Sequence, residues 1–86
     1  MIVDHVPAAL AEAGDILIPL AEGCICPSHV LGGLSDLLCG HIAGRATDAE
    51  VTVFKSVGIA IEDIAAAAHV YRAALASGAG TFVRLA

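Results

Sequence analysis

Basic and aromatic residues are scarce in this sequence. Four lysines and arginines stand against nine acidic residues, which gives a net charge of -5, and the aromatic residues are one tyrosine and two phenylalanines. Proteins that bind nucleic acid use clustered positive charge and aromatic surfaces on which bases stack. We therefore expect no nucleic acid partner.

Long apolar runs, a common nucleotide-binding motif and a common catalytic motif are also missing. Glycines and charged residues interrupt every apolar stretch before it reaches the 18 or so residues that a membrane helix needs, so we expect no membrane partner. No basic stretch leads into an apolar segment near Met1, which argues against a secretory signal and favours the cytoplasm. The sequence contains no G-x-G-x-x-G nucleotide loop and no serine elbow motif.

Apolar residues, by contrast, are abundant. They make up 58% of the 86 residues, and charged residues make up 15%, whereas an ordinary soluble domain is roughly 45 to 50% apolar. A chain this short forms one small domain and buries only about two-thirds of its unfolded surface. We therefore expect a second copy of the chain, or a missing partner domain, to cover part of the apolar surface.

Strand patterns and helix patterns alternate along the chain. The first half has a β-type opening at 1–5, a helix at 7–13 that Gly14 ends, an extended segment or broken helix at 15–20, and a loop at 21–33. A short helix at 34–39, which Gly40 ends, and a polar turn at 44–50 follow. The second half has a strand from 51, a long helix at 59–77, and a final strand or extended arm at 81–85. This alternation predicts an α/β fold with parallel strands, because parallel strands need helical crossovers.

The stretch at residues 51–58 is the centre of this pattern. β-branched and aromatic residues lead to Ser56 and Gly58 and then to an alanine-rich tract, which predicts a buried strand that turns tightly into a helix. Ligands of open α/β sheets bind outside the carboxyl ends of the strands, near helix N-termini. The Ser56 hydroxyl and the nearby amides could therefore bind a cofactor amide or a phosphate. The alternative is that Ser56 only caps the next helix.

The same stretch resembles a known family. The run Val-Thr-Val-Phe-Lys-Ser-Val-Gly-Ile-Ala-Ile-Glu-Asp-Ile-Ala-Ala-Ala at 51–67 resembles the C-terminal segment of the ornithine cyclodeaminase/mu-crystallin family. The Ala-Gly-Asp-Ile-Leu-Ile-Pro-Leu run at 13–20, the Leu-Ser-Asp-Leu-Leu-Cys-Gly run at 34–40 and the Gly-Arg pair at 44–45 follow the order that the family shows. One departure is Gly33, where the family usually carries Glu, and this glycine should loosen the start of the short helix.

The resemblance implies a partial Rossmann-like fold, with an incomplete parallel sheet, helices and a long Ala-rich C-terminal helix. Residues 1–86 would form a single small domain, equivalent to the C-terminal part of the nucleotide-binding domain plus the returning C-terminal helix. The family oxidises amino acids or reduces imines with NAD or NADP. By resemblance, Ser56 touches the nicotinamide cofactor and Val57 lies against the substrate.

The resemblance also implies that this chain is not catalytic by itself. The family's Gly-rich loop and catalytic acid lie upstream of everything matched here, so we assign no catalytic residue and expect no activity in isolation. We expect a homo-oligomer or a missing N-terminal partner chain to complete the structure. A non-enzymatic oligomerising or protein-interaction module of the same fold is the alternative function.

Other polar residues offer weaker candidates. Lys55 precedes Ser56 on a strand and should point to the opposite face, where a structural role is the plainer explanation. Arg45 could hold a carboxylate or phosphate, although a loop arginine is commonly a surface charge.

Five cysteines and histidines could in principle bind zinc, which takes four such ligands; they are Cys24, Cys26, His29, Cys39 and His41. A single residue separates Cys24 from Cys26, fewer than zinc sites usually have, and free cysteine is common in protein cores. We therefore expect neither a metal nor a disulfide, and a small zinc-binding domain remains a third alternative.

Overall fold

A small parallel sheet organises the structure, a computed structural model that describes all 86 residues. Its elements are β1 (Ile2–Val3), α1 (Val6–Glu12), α2 (Gly14–Ala21), β2 (Gly32–Gly33), α3 (Leu34–Leu38), β3 (Phe54–Lys55) and α4 (Ala60–Ser77), with a 3-10 turn at Pro27–His29. The three strands lie in the order β2-β1-β3, and both pairs are parallel. The predicted α/β fold, with an incomplete parallel sheet and a long C-terminal helix, is confirmed.

The two faces of the sheet have different surroundings. Ile2 is in register with Phe54, and Val3 is in register with Lys55, so alternation puts each pair on its own face. On the first face, Val3 packs into the core and Lys55 forms an ion pair with Asp15 of α2, with the Nζ to Oδ2 distance at 3.0 Å. On the second face, Ile2 and Phe54 line an open pocket of about 550 Å³.

The hydrophobic core is small. It consists of four buried residues, Val3, Ala9, Ala13 and Ile16, which join β1 to α1 and α2. Ile16 and Val3 are the largest fully buried side chains. Because so few apolar residues are buried, the stability of the fold depends strongly on each of them.

The molecule is extended for its length. Its radius of gyration is 17.8 Å, whereas a compact domain of this size has about 12 Å. The helix α4 accounts for much of this shape, since none of its residues is buried. None of the helices combines the length and the apolar character needed to cross a lipid bilayer.

Two strand predictions differ from the structure. The stretch at 51–58 forms strand pairs only at Phe54–Lys55, and it is not buried, because Val51, Val53 and Phe54 are 92%, 48% and 53% exposed. The physical reason is that β3 is an edge strand with no neighbour on its far side. The alternative of a final strand at 81–85 is wrong, since these residues form no strand and Phe82 is 82% exposed.

The predictions for the first half of the chain are partly wrong. Gly14 begins α2 instead of only ending α1. For residues 15–20 the helical alternative is confirmed and the extended one is wrong, with Pro19 inside α2. The predicted loop at 21–33 contains β2, whose two residues are both glycine. The start of α3 is not loosened at Gly33, because the Gly33 N–H donates a hydrogen bond to the Asp36 carboxylate at 3.1 Å. The expected end of α3 at Gly40, with φ +76°, and the long helix α4 are confirmed.

Candidate functional site

A buried carboxylate stands at the carboxyl edge of the sheet. Asp4 follows the central strand β1 and is only 4% exposed. Its Oδ2 accepts hydrogen bonds from the Ser56 hydroxyl and from the backbone N–H groups of Val57 and Gly58, each at 2.8 Å. Its Oδ1 accepts the N–H of His5 at 2.8 Å. One side chain thus holds the segment that follows β3 against the end of β1.

The electrostatics of Asp4 follow from these contacts. Burial alone would raise its pKa, but the hydrogen bonds from Ser56, Gly58, His5 and Val57 outweigh burial and lower the pKa from the ordinary 3.8 to about 2. All four donors are neutral, so the ionised carboxylate is stabilised by dipoles and not by a cation. At neutral pH the site therefore carries one fixed negative charge.

This arrangement limits what Ser56 can do for a ligand. A hydroxyl has one proton to donate and two lone pairs. The Ser56 proton goes to Asp4, and one lone pair accepts the Gly58 N–H at 3.1 Å. The exposed hydroxyl therefore has one free lone pair, which can accept a hydrogen bond from a ligand N–H but has no proton left to donate to a phosphate.

The backbone N–H groups that follow Ser56 also have hydrogen-bond partners within the protein. The N–H groups of Val57 and Gly58 both point to Asp4 Oδ2, so the anion position at this strand-to-helix junction is filled by the protein's own carboxylate. Of the two ligand groups considered from the sequence, the geometry favours an amide over a phosphate. The Val57 side chain is half-buried and packs partly against the core.

The other polar candidates have structural partners. The ion pair with Asp15 lies on the α2 face, so Lys55 occupies the structural position expected for it. The Arg45 guanidinium is bound within its own loop, where it donates to the carbonyl oxygens of Thr47, Asp48 and Glu50 and, at 3.1 Å, to the Thr52 hydroxyl. Arg45 is thus already occupied and organises the 45–52 loop.

The cysteines and histidines do not form a metal centre. No group of three or more Cys, His, Asp or Glu side chains is placed to hold a metal ion. Cys24, Cys26 and Cys39 are all free and exposed. Cys26 and His29 are in contact, with the Sγ to Nδ1 distance at 3.3 Å, but no further ligand joins them. The zinc alternative therefore has no geometric support.

Sequence reasoning missed Asp4, the residue that organises the site. The available signal was an acidic residue directly after a short β-type segment, at the position where parallel strands present their carboxyl ends. That signal is weak, because the donors of Ser56 and Gly58 are more than fifty residues away in sequence.

A family model and individual relatives place this chain in the same protein family. The family model described as "Ornithine cyclodeaminase/mu-crystallin family" matches residues 1–78. A Delta(1)-pyrroline-2-carboxylate reductase from Bacillus cereus is 42% identical over 80 residues, which cover 93% of this chain and 25% of that protein. An alanine dehydrogenase from Archaeoglobus fulgidus is 32% identical over 84 residues, covering 98% of this chain and 26% of that protein.

A solved structure shares the fold. The Delta(1)-pyrroline-2-carboxylate reductase of Thermococcus litoralis, in complex with NADH and L-proline, superposes with a TM-score of 0.77 at 44% identity, covering 95% of this chain and 25% of that one. The chain spans about a quarter of the length of these relatives. The sheet and helices are thus a partial Rossmann-like fold. The chain belongs to the ornithine cyclodeaminase/mu-crystallin family and corresponds to its C-terminal segment.

Proposed function

We propose that this chain is the C-terminal module of a nicotinamide-cofactor-dependent protein of its family and is not catalytic alone. Residues 1–86 act as a single small domain, equivalent to the C-terminal part of the nucleotide-binding domain plus the returning C-terminal helix. Ser56 contacts the cofactor, which is NAD or NADP, and Val57 contacts the substrate. The observation that carries the proposal is the hydrogen-bonded unit of Asp4, Ser56 and Gly58 at the carboxyl edge of the sheet.

The residues present fit one end of such a cofactor. A nicotinamide ring carries a carboxamide, whose N–H groups suit the one free lone pair of Ser56 Oγ. Asp4 positions Ser56 by accepting its proton, so that the hydroxyl can act only as an acceptor. When bound, the cofactor supplies or removes a hydride. The phosphates have no donors here, because the junction amides already bind Asp4.

The exposed surface supports a further part of the proposal, namely a partner that completes the structure. The chain exposes 6,542 Å², about 1,800 Å² more than a compact protein of the same mass. A standard interface takes about 800 Å² from each partner. Part of the excess is apolar, including the second face of the sheet and the Ile61, Ile64 and Leu75 side chains of α4, each more than 60% exposed.

We propose that a second copy covers this surface in the isolated chain, and that an N-terminal partner chain of the same family covers it in a complete enzyme. Sedimentation at micromolar concentration should give a mass above the 8.6 kDa of one chain. A clean monomer would contradict self-association. We also expect a cytoplasmic location, which three exposed free cysteines support because thiols stay reduced there.

The same surface favours the alternative function, a non-enzymatic oligomerising or protein-interaction module. Such a module would keep the fold and the interface but would not respond to a nicotinamide cofactor. Cofactor binding therefore separates the two functions.

The test is an NMR titration of the labelled chain with NADH, which detects weak binding. We expect amide shifts centred on Ser56–Gly58 that saturate, and that weaken in Ser56→Ala. Ser77→Ala is the matched control, because its hydroxyl donates only to carbonyls within α4. ADP-ribose, which has the phosphates without the nicotinamide, should leave these amides unshifted. Shifts with ADP-ribose equal to those with NADH would refute the amide contact, and no shifts with either would favour the interaction module.

A further inference from the structure

A second cluster of reactive side chains lies outside this site, at the turn between α2 and β2. The Cys26 sulfur is 2.9 Å from the Ser28 hydroxyl and 3.3 Å from Nδ1 of His29. The backbone N–H of Cys26 donates to the same Nδ1 at 3.2 Å, so the single lone pair of this nitrogen faces both the amide and the sulfur. All three residues are exposed. None of them shares a hydrogen bond with Asp4 or Ser56.

This geometry resembles that of activated thiols. A thiolate is the nucleophilic form of cysteine, and an adjacent histidine stabilises it by taking the proton and then donating to the sulfur. His29 Nδ1 can accept the Cys26 proton only by giving up the hydrogen bond from the Cys26 amide, whereas Ser28 can donate its hydroxyl proton to the thiolate without losing a partner. Consistent with this geometry, hydrogen bonds from Ser28 and His29 lower the pKa of Cys26 from the ordinary 9.0 to about 7.

We propose that Cys26, with His29 and Ser28, forms a nucleophilic thiol site that undergoes exchange with small-molecule disulfides. The Cys26 thiolate attacks one sulfur of the disulfide. A new S–S bond forms at Cys26, the original S–S bond breaks, and the other half leaves as a thiolate that takes up a proton from solvent. The product is a mixed disulfide that a thiol reverses by the same step.

The chain provides its own internal controls. Cys24 and Cys39 are also free and exposed. Cys24 contacts the Glu22 carboxylate at 3.9 Å, and no side-chain hydrogen bond reaches the Cys39 sulfur. Neither sulfur has the imidazole and hydroxyl neighbours of Cys26. Exposure alone therefore predicts equal reaction at the three thiols, whereas the cluster predicts selective reaction at Cys26.

The expected selectivity can be estimated. At pH 7 about half of a thiol with a pKa near 7 is thiolate, against about 1% for a pKa of 9.0. Lower basicity also lowers intrinsic nucleophilicity, which offsets part of this gain. The net expectation is that Cys26 reacts roughly fivefold to eightfold faster than an ordinary exposed cysteine.

The pH dependence of the exchange follows the Cys26 thiol, because the thiolate is the form that attacks the disulfide and the pKa of this thiol is lowered to about 7. His29 is the titratable side chain in contact with the sulfur. The exchange rate at Cys26 should therefore rise through a midpoint near pH 7.

The experiment treats the full chain with oxidised glutathione at pH 7, stops the exchange with acid, and counts the adduct at each cysteine by mass spectrometry. Faster modification of Cys26 than of Cys24 and Cys39 supports the proposal. Equal rates at all three thiols would overturn it, and this comparison needs no substitution. The Cys24→Ser/Cys39→Ser variant should keep the fast reaction, and Cys26→Ser should lose it.

The role of the imidazole is tested by His29→Ala, which should slow Cys26 toward the rate of the other two thiols, with the Ser28 hydrogen bond still in place. His69→Ala is the matched control, because His69 lies on the exposed helix α4. Ser28→Ala removes the closer neighbour of the sulfur and should slow Cys26 at least as much; it also takes the place of His29→Ala if that variant does not fold by circular dichroism. A folded variant that retains the full Cys26 rate would contradict the assigned roles. Because the readout is adduct formation, it is independent of NADH binding.

Discussion

Replacing Asp4 by Asn tests whether this carboxylate holds the site together. Asn has nearly the same shape, but one of its two acceptors becomes an NH₂ donor. If the amide oxygen takes the place of Oδ2, the NH₂ group faces the His5 N–H, which now lies 2.8 Å from Oδ1. If the side chain is flipped, the NH₂ faces the Ser56, Val57 and Gly58 donors. Either orientation places donors against donors, so we expect a less stable fold.

The magnitude can be expressed through proton binding. The pKa of Asp4 is lowered to about 2 in the folded chain from the ordinary 3.8, so its contribution to stability is present above pH 3.8 and is lost as the pH falls toward 2. From these two values, the unfolding equilibrium constant should rise roughly thirtyfold between pH 5 and pH 2 from this one group. In Asp4→Asn this component is absent.

The assay is urea unfolding followed by circular dichroism at several pH values, together with amide exchange at Val57 and Gly58. We expect the wild-type chain to lose more stability between pH 5 and pH 2 than Asp4→Asn, and Asp48→Asn, a substitution in the exposed 45–52 loop, to behave like the wild type. Both amides should exchange faster in Asp4→Asn. Equal acid sensitivity in wild type and Asp4→Asn would refute the reasoning.

Further substitutions test other contacts, and urea unfolding measures each of them. Gly58→Ala should lower the free energy of unfolding by about 1 to 2 kcal/mol, because Gly58 has φ +84° although the added methyl group would meet open space. Gly33→Ala should raise it by about 0.4 to 1 kcal/mol, because Gly33 has φ -87° and the nearest atoms to the added methyl group would lie at 3.6 Å; a loss would contradict this. Ile16→Ala should cost about 2 to 5 kcal/mol, since Ile16 is fully buried in a core of four residues. Lys55→Met should change little, because the Asp15 partner is 65% exposed and ion pairs open to solvent contribute weakly.

The elements that the sequence predicted well are those defined by local patterns. The alanine-rich tract predicts α4 to within one residue of its observed start, and Gly78, whose φ of +67° is a common helix stop, marks its end. Gly40 ends α3 in the same way. In both cases the information lies within a few residues of the boundary.

The elements that were missed depend on distant partners. The strand β2 consists of Gly32 and Gly33, which have no strand preference, and it exists because β1 lies beside it. The exposure of Val51 and Phe54 likewise cannot be read from their residue types, because it reflects the missing neighbour of β3. The role of Asp4 depends on a donor, the Ser56 hydroxyl, that lies 52 residues away in sequence.

The position of Asp4 also determines which part of a cofactor this chain can recognise. Strand-to-helix junctions of parallel sheets usually offer free N–H groups to phosphates, but here the N–H groups of Val57 and Gly58 bind an internal carboxylate. An anion would have to displace or approach that charge, whereas a neutral carboxamide meets only the free lone pair of Ser56. In the function that we propose, the chain contributes orientation of the nicotinamide end, and another part of the protein supplies the affinity that comes from the phosphates. This division explains why we expect weak binding of NADH to the chain alone and no response to ADP-ribose.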